Sequence, residues 1–154
     1  TIRLARLDDA AFVADCNIWL ARESEEIALD PERVRQGVAA VFADSAKGFY
    51  LIAEVDGQRA GQLMITYEWS DWRNGVFWWI QSVYTVPEFR SRGVFRALYS
   101  HVELLARQDG TVCGLRLYVA PSNANAQATY LHRGMHDSGY RLFELDYVVP
   151  RTVT

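Results

Sequence analysis

The sequence predicts an α/β fold of the mixed α+β kind: one central mixed sheet with helices on both faces, its elements running β-α-α-β-β-β-α-β-α-β. Three observations carry this. Two apolar runs flank Asp56-Gly57, a pair that favours a two-residue hairpin turn because both positions tolerate positive φ, so the first half folds antiparallel. Residues 76–86, VFWWIQSVYTV, are apolar on both alternating faces, as in a mid-sheet strand covered above and below. Beyond them helical and strand periodicities alternate, the pattern of β-α-β units. With 154 residues, 50% of them hydrophobic and 23% charged, the chain suits one domain with its own core, residues 1–154.

Taken in order, Ile2 to Ala5 reads as a short first strand. Asp8 and Asp9 offer caps for an amphipathic helix whose Ala11, Phe12, Cys16, Trp19 and Leu20 roughly follow the helical repeat. Glu23 to Asp30 is an acidic connector. Asp30-Pro31-Glu32-Arg33 then starts a second helix, with a capping residue followed by Pro at the first helical position, and Val34, Val38, Val41 and Phe42 form its apolar stripe. Strands are expected over Phe49 to Val55 and about Gln58 to Glu68, then, past the polar and aromatic stretch 69–75, over Val76 to Val86. Pro87 to Arg92 is a turn, after which Val94, Leu98, His101 and Leu105 mark one face of a third helix. Leu115 to Val119 is a strand, Asn123 begins a fourth helix that Gly134 stops, and Tyr140 to Val149 is the last strand.

Composition narrows the function classes. A net charge of −3 excludes a surface that as a whole attracts DNA or RNA phosphates, so any phosphate site must be local. No run approaches the roughly 18 apolar residues of a membrane span, and the N-terminus lacks the apolar stretch of a signal peptide. Cys16 and Cys113 lie far apart with no C-x-x-C pattern, which fits two reduced thiols in a cytoplasmic chain. His132 and His136 stand four apart across Gly134 with no carboxylate at a useful spacing, so no metal is expected.

The most informative stretch is Val83 to Arg96, VYTVPEFRSRGVFR. A buried strand ends at Val86, and Arg90-Ser91-Arg92-Gly93 leads into a helix. The first turn of a helix carries unpaired backbone N–H groups and the positive end of the helix dipole, which together bind an anion. Gly93 permits close approach of the backbone to a phosphate, and Arg90, Arg92 and Arg96 place three cations on an acidic protein. The bland alternative is a solvated basic loop with an ordinary glycine turn.

Here the chain resembles the GNAT superfamily of acyl-CoA-dependent N-acetyltransferases. The family's pyrophosphate loop reads Arg/Gln-x-x-Gly-x-Gly/Ala at the end of the fourth strand, and this chain has Arg90-x-x-Gly93-x-Phe95 there, Phe95 standing where Gly or Ala is usual. Downstream, Asn123-x-x-Ala126-x-x-x-Tyr130-x-x-x-Gly134-Met135 is similar to the family's N-x-x-A-x-x-x-Y-x-x-x-G-F. The resemblance implies acetyl-CoA as co-substrate, with a diphosphate held by Arg90, Ser91, Arg92, Gly93, Val94, Phe95 and Arg96. It implies a bulged fourth strand splayed from the fifth, where the backbone at Val83, Tyr84 and Thr85 pairs with pantetheine and an N–H near Val83 steadies the thioester carbonyl. It further implies that Asn123 bonds the pantetheine or phosphate arm and that Tyr130 protonates the departing sulfur. Without the resemblance, Tyr130 reads as a helix tyrosine half-buried against the sheet.

An amine acceptor must also lose a proton. Candidates near the expected pocket are Glu68 and Asp71, with Gln81 able to position a water; each also reads as a solvated surface group, and a water chain would serve as well. Trp78 and Trp79 point to opposite faces, so at most one lines the acceptor site. Trp69 and Trp72 read as a pocket rim, and acidic residues of the connector, Glu26 among them, would steer a cationic amine. The function expected is transfer of acetyl from acetyl-CoA to a small primary amine by direct attack, with no nucleic-acid or membrane partner. The alternatives are a non-catalytic acyl-CoA-binding regulatory module and a protein or peptide N-acetyltransferase. Aromatic-rich strands are compatible with a homodimer.

Overall fold

A computed structural model of the chain describes residues 1–149. The chain divides into two compact units, the larger being Thr1–Leu117 and the smaller starting at Tyr118. In the larger unit β1 (Ile2–Leu4), β2 (Phe49–Val55), β3 (Gln58–Ser70), β4 (Gly75–Thr85) and β5 (Val112–Leu117) form one sheet in that order. The first three junctions are antiparallel, and β5 lies parallel to β4. Three helices accompany them: α1 (Ala10–Glu25), α2 (Pro31–Ala43) and α3 (Val94–Gln108). The smaller unit contains α4 (Ala124–His132).

Side-chain alternation sorts the core into two layers. Tyr50 and Ile52 of β2 pack with Val13 and Ala14 of α1 and with Val38 and Val41 of α2. Leu51 and Ala53 face the other way, toward α3, whose Val94, Leu98, Val102 and Ala106 recur every four residues and are buried. Burying each such aliphatic side chain contributes about 1.5–3 kcal/mol, which is why the two stripes and not helix propensity hold these elements in place.

Local signals act as the sequence predicts at several points. Asp30 caps α2 by accepting from the Glu32 N–H at 3.0 Å, with Pro31 following. Asp56 and Gly57 take φ of 51° and 76°, the two positive values the hairpin turn needs. Asp9 does something else. Its side chain does not cap α1 but sits fully buried, accepting from both terminal nitrogens of Arg3 (2.7 and 3.0 Å), from Arg59 Nε (2.7 Å) and from the Arg6 N–H (2.7 Å). The cluster ties β1 and the start of α1 to the β2–β3 hairpin.

Four boundaries differ from the expectation. α1 runs on to Glu25 and buries Val13, Ala14 and Cys16, leaving Trp19 exposed, because Glu26 ends it in the left-handed region (φ 54°) rather than any earlier breaker. β3 extends to Ser70, carried by its pairing with β4 out to Ser70↔Gly75. β5 begins at Val112, which pairs with Val76, and stops at Leu117. Finally, residues 140–149 contain no strand and Tyr140, Leu142 and Phe143 are exposed. Alternation there reports a capacity for pairing; a strand also needs a neighbour's edge.

Candidate active site

The site grows out of an irregularity in β4. Gln62 pairs with Tyr84, but the next pair is Met64 with Gln81, so Ser82 and Val83 together face Leu63 alone. Ser82 adopts φ of 50° to make this bulge, which bends the strand. On its other side β4 pairs with β5 only from Val76↔Val112 to Ile80↔Leu117. Residues 81–85 therefore have no strand beside them on that side among the described residues. An extended amide-bearing ligand can add to such an edge as a strand would.

Nine residues past the end of this edge the chain enters α3. Ser91 and Gly93 have φ of 61° and 78°, and Gly93 is the N-terminal flanking residue of α3 with no side-chain cap. Neither of these residues caps the helix with a side chain, and the positive end of the α3 dipole favours an anion there. Beside them lies an open depression of about 540 Å³ lined by Ser91, Arg92, Gly93, Arg96, Ala97 and Ser100. A Cβ built on Gly93 meets nothing within 4 Å. Phe95 is not part of this lining: its ring lies 6.1 Å from Tyr99 along α3, so the side chain that departs from the Gly/Ala pattern points aside.

Arg90 also lies outside the lining. Its Nε donates to the Thr85 carbonyl (3.0 Å), its Nη2 bonds Glu23 of α1 (2.7 Å), and its guanidinium stands 5.4 Å from the Tyr84 ring centre. Tyr84 in turn donates to Glu23 at 2.6 Å. Burial, with Glu23 second, pushes the Tyr84 phenol up to about 12, and the Tyr84 and Arg90 bonds hold the Glu23 carboxyl below its usual range. Arg90 thus braces the loop against α1 and the strand end, while Arg92 and Arg96 are the cations of the depression. Glu23, expected from sequence only as part of the acidic connector, is the third member of this brace.

Register also sorts the side chains of the sheet by face. Residues directly opposite share a face, so Thr66 and Glu68 of β3, Phe77, Trp79 and Gln81 of β4 and Arg116 of β5 all look toward the α1 and α2 side of the sheet. Gln81 Nε2 donates to Thr66 Oγ1 at 2.6 Å. Arg116 bonds the Glu68 carboxylate and covers the Phe77 ring at 3.7 Å, with Arg73 at 4.9 Å from the same ring. Phe77 fits because β5 carries Gly114 opposite it, where a Cβ would come within 2.6 Å of the ring. Trp78 takes the opposite face, buried edge-on against Phe49 at 5.3 Å.

Trp69 and Trp72, expected as a pocket rim, are not brought together with Glu68. Trp69 lies on the other face of β3 from Glu68, and Trp72 sits at the exposed hairpin tip, where the Asp71 carboxylate accepts from its N–H at 2.9 Å. Period-two alternation from Glu68 separates Trp69 from the acceptor face, and Trp79 takes that place. Glu26 is exposed at the end of α1. Cys16 is buried, which pushes its thiol up to about 12.

In the smaller unit Asn123 caps α4, its Oδ1 accepting from the Ala126 N–H at 3.1 Å, which leaves its amide N–H groups as donors. Gly134, at φ 85°, ends the helix, and Met135 N–H donates to the Tyr130 carbonyl at 3.1 Å. Among the described residues no helix is long and apolar enough to cross a membrane, and no three His, Cys, Asp or Glu side chains could hold a metal ion.

An uncapped helix start beside an open strand edge is the equipment of a fold that holds a nucleotide-bearing acyl carrier. Comparison with known proteins agrees. The model of the Acetyltransferase (GNAT) family matches residues 13–135. A solved structure of a possible acetyltransferase from Clostridium difficile 630 is 41% identical, with a TM-score of 0.89 over 96% of this chain and 97% of that one. A predicted acetyltransferase from Clostridium acetobutylicum, solved with acetyl-CoA, shares 17% identity and a TM-score of 0.75 over 95% of each chain. The aminoglycoside N-acetyltransferase AAC(6')-Iy, solved with CoA, shares 16% identity and a TM-score of 0.73 over 96% of this chain and 94% of that one. No curated protein gives a significant match. The protein is an acyl-CoA-dependent acetyltransferase. It belongs to the GNAT acetyltransferase family.

Proposed function

We propose that the chain, acting as one cytoplasmic N-acetyltransferase domain, moves the acetyl group of acetyl-CoA to the primary amine of a small molecule by direct attack. The observation that supports this most is the unpaired edge of β4 next to the uncapped start of α3. In this reading the amides of Val94, Phe95 and Arg96, with Arg92 and Ser91, hold the diphosphate, and the main chain of residues 83–85 holds the pantetheine. An N–H near Val83 lies where the thioester oxygen gains charge. The free thiols of Cys16 and Cys113 support a reducing compartment.

Two proton transfers complete the reaction. An alkyl ammonium with a pKa near 10.4 is about one part in 10³ neutral at pH 7, so freeing the amine costs roughly 4–5 kcal/mol. Glu68 takes that proton, oriented by Arg116 on the acceptor face. The departing thiolate, whose thiol has a pKa of about 8.5, receives a proton from Tyr130, a role supported by its place in the Asn123 to Gly134 motif.

The test is release of free thiol from acetyl-CoA over a panel of amines, amino acids and peptide N-termini. Tyr130→Phe is expected to lower turnover by about 100-fold or more; an unchanged rate removes the acid role. Glu68→Gln should slow transfer at pH 7 and recover as pH rises toward 10, because the neutral amine fraction grows about tenfold per pH unit. A variant that stays equally slow across that range would not be missing a base. Saturable CoA binding with no thiol release over the whole panel would assign a binding module instead.

A further inference from the structure

Two guanidinium groups share the Phe77 ring, and a single carboxylate stands with them. The ring is buried, with Arg116 at 3.7 Å and Arg73 at 4.9 Å from its centre, so the two guanidinium carbons lie no further apart than those distances together. Phe77 stands directly opposite Glu68 in register, and Arg116 is paired with the Glu68 carboxylate. Arg73 has no such partner among the described residues: its Nη1 donates to Ser70 Oγ at 3.3 Å, and the neighbouring Asp71 accepts from the Trp72 N–H. A guanidinium held over a ring face is oriented before any ligand arrives, and the N–H donors around its edge stay available.

We propose that this cluster selects the acceptor, and that the amine receiving the acetyl group carries a carboxylate bound by Arg73. The inference rests on the acyl-transfer reading, in which Glu68 takes the acceptor's proton. An amine brought to Glu68 arrives beside Arg116 and under the charge of Arg73. Two guanidinium groups against one carboxylate leave a net positive charge, so a plain cationic amine meets repulsion where an aminocarboxylate meets a partner. One uncompensated charge matches a monoanion, which favours a carboxylate over a phosphate near charge −2. The planar fork of Arg73 then fits that carboxylate through paired hydrogen bonds.

The test compares glycine, β-alanine and γ-aminobutyrate, each against its own amide, by free thiol release from acetyl-CoA with the full chain. At least one acid is expected to exceed its amide by about tenfold or more in kcat/KM, as a charge-assisted contact to a carboxylate provides. Chemical bias runs the other way, because the carboxylate's charge raises the pKa of the amine and lowers its neutral fraction. Arg73→Gln should bring the ratio of acid to amide close to one, through KM, since the carboxylate contact is the same in the bound substrate and in the transition state. Arg107→Gln, an equal change of charge on α3, should leave the ratio as in wild type. Amides transferred as well as the acids, a ratio that survives Arg73→Gln, an equal loss in Arg107→Gln, or no transfer to any acid would each overturn the proposal. Transfer to amides alone sinks only the carboxylate preference, whereas no thiol release from any amine removes the acyl-transfer reading with it.

Discussion

Gly93→Trp is expected to weaken coenzyme A binding by at least about 100-fold. The position has φ of 78°, where an L side chain costs roughly 1–2 kcal/mol, and its Cβ would project into open space beside the depression at the start of α3. An indole there occupies the space in front of the first-turn amides. Losing two charge-assisted hydrogen bonds, each worth about 1.5–3 kcal/mol, corresponds to about 3–6 kcal/mol of affinity, or more than two decades. Calorimetric titration with coenzyme A reads this directly. Gly93→Ala separates the causes, since it adds the backbone strain without the bulk and should lose only about tenfold. If Gly93→Trp bound coenzyme A normally, the diphosphate would have to sit elsewhere.

Asp9→Asn is expected to cost about 1–3 kcal/mol of stability, because it takes the charge from the hydrogen bonds of a buried carboxylate whose partners Arg3 and Arg59 remain partly in water. Asp9 is fully buried and accepts four hydrogen bonds, two from Arg3, one from Arg59 and one from the Arg6 N–H. The Arg3 bonds foremost hold its carboxyl well below the ordinary value of 3.8. A carboxyl lowered in the folded state stabilises fully above its unfolded pKa and loses that contribution as pH falls through the folded one. Urea unfolding of wild type and variant should therefore differ most near pH 7, and the gap should close as the pH is lowered below 3.8. Coincident midpoints at pH 7 would mean the cluster is dispensable.

Legibility in the sequence followed the range of the interaction. The Asp56-Gly57 turn, the Asp30 cap and the Gly93 junction depend on a few adjacent residues and appear where the sequence predicts them, whereas the α3 stripe begins at Val94 and Leu98 as expected but continues through Val102 and Ala106 in place of His101 and Leu105. The bulge at Ser82 does not announce itself, because serine has no marked preference for positive φ; the resemblance supplied the bulge and the register located it. Arg116 reaches Glu68 across 48 residues, and Glu23 reaches Arg90 across 67, so neither pair has a local signature. Trp69 and Trp72 stand apart from Glu68, because clustering in sequence says nothing about which side of a strand each ring takes. Residues 140–149 have strand alternation, but a partner is not written into a pattern.

The opened margin of β4 has a consequence for how this enzyme can evolve. Recognition through carbonyls and amides is indifferent to the identity of the side chains attached to them, so positions 83 and 85 are free to drift while the grip persists. Insertions and deletions there are another matter, since shifting the bend at Ser82 by one position would rotate the remaining donors away. Selection on this stretch should therefore act on length more than on composition.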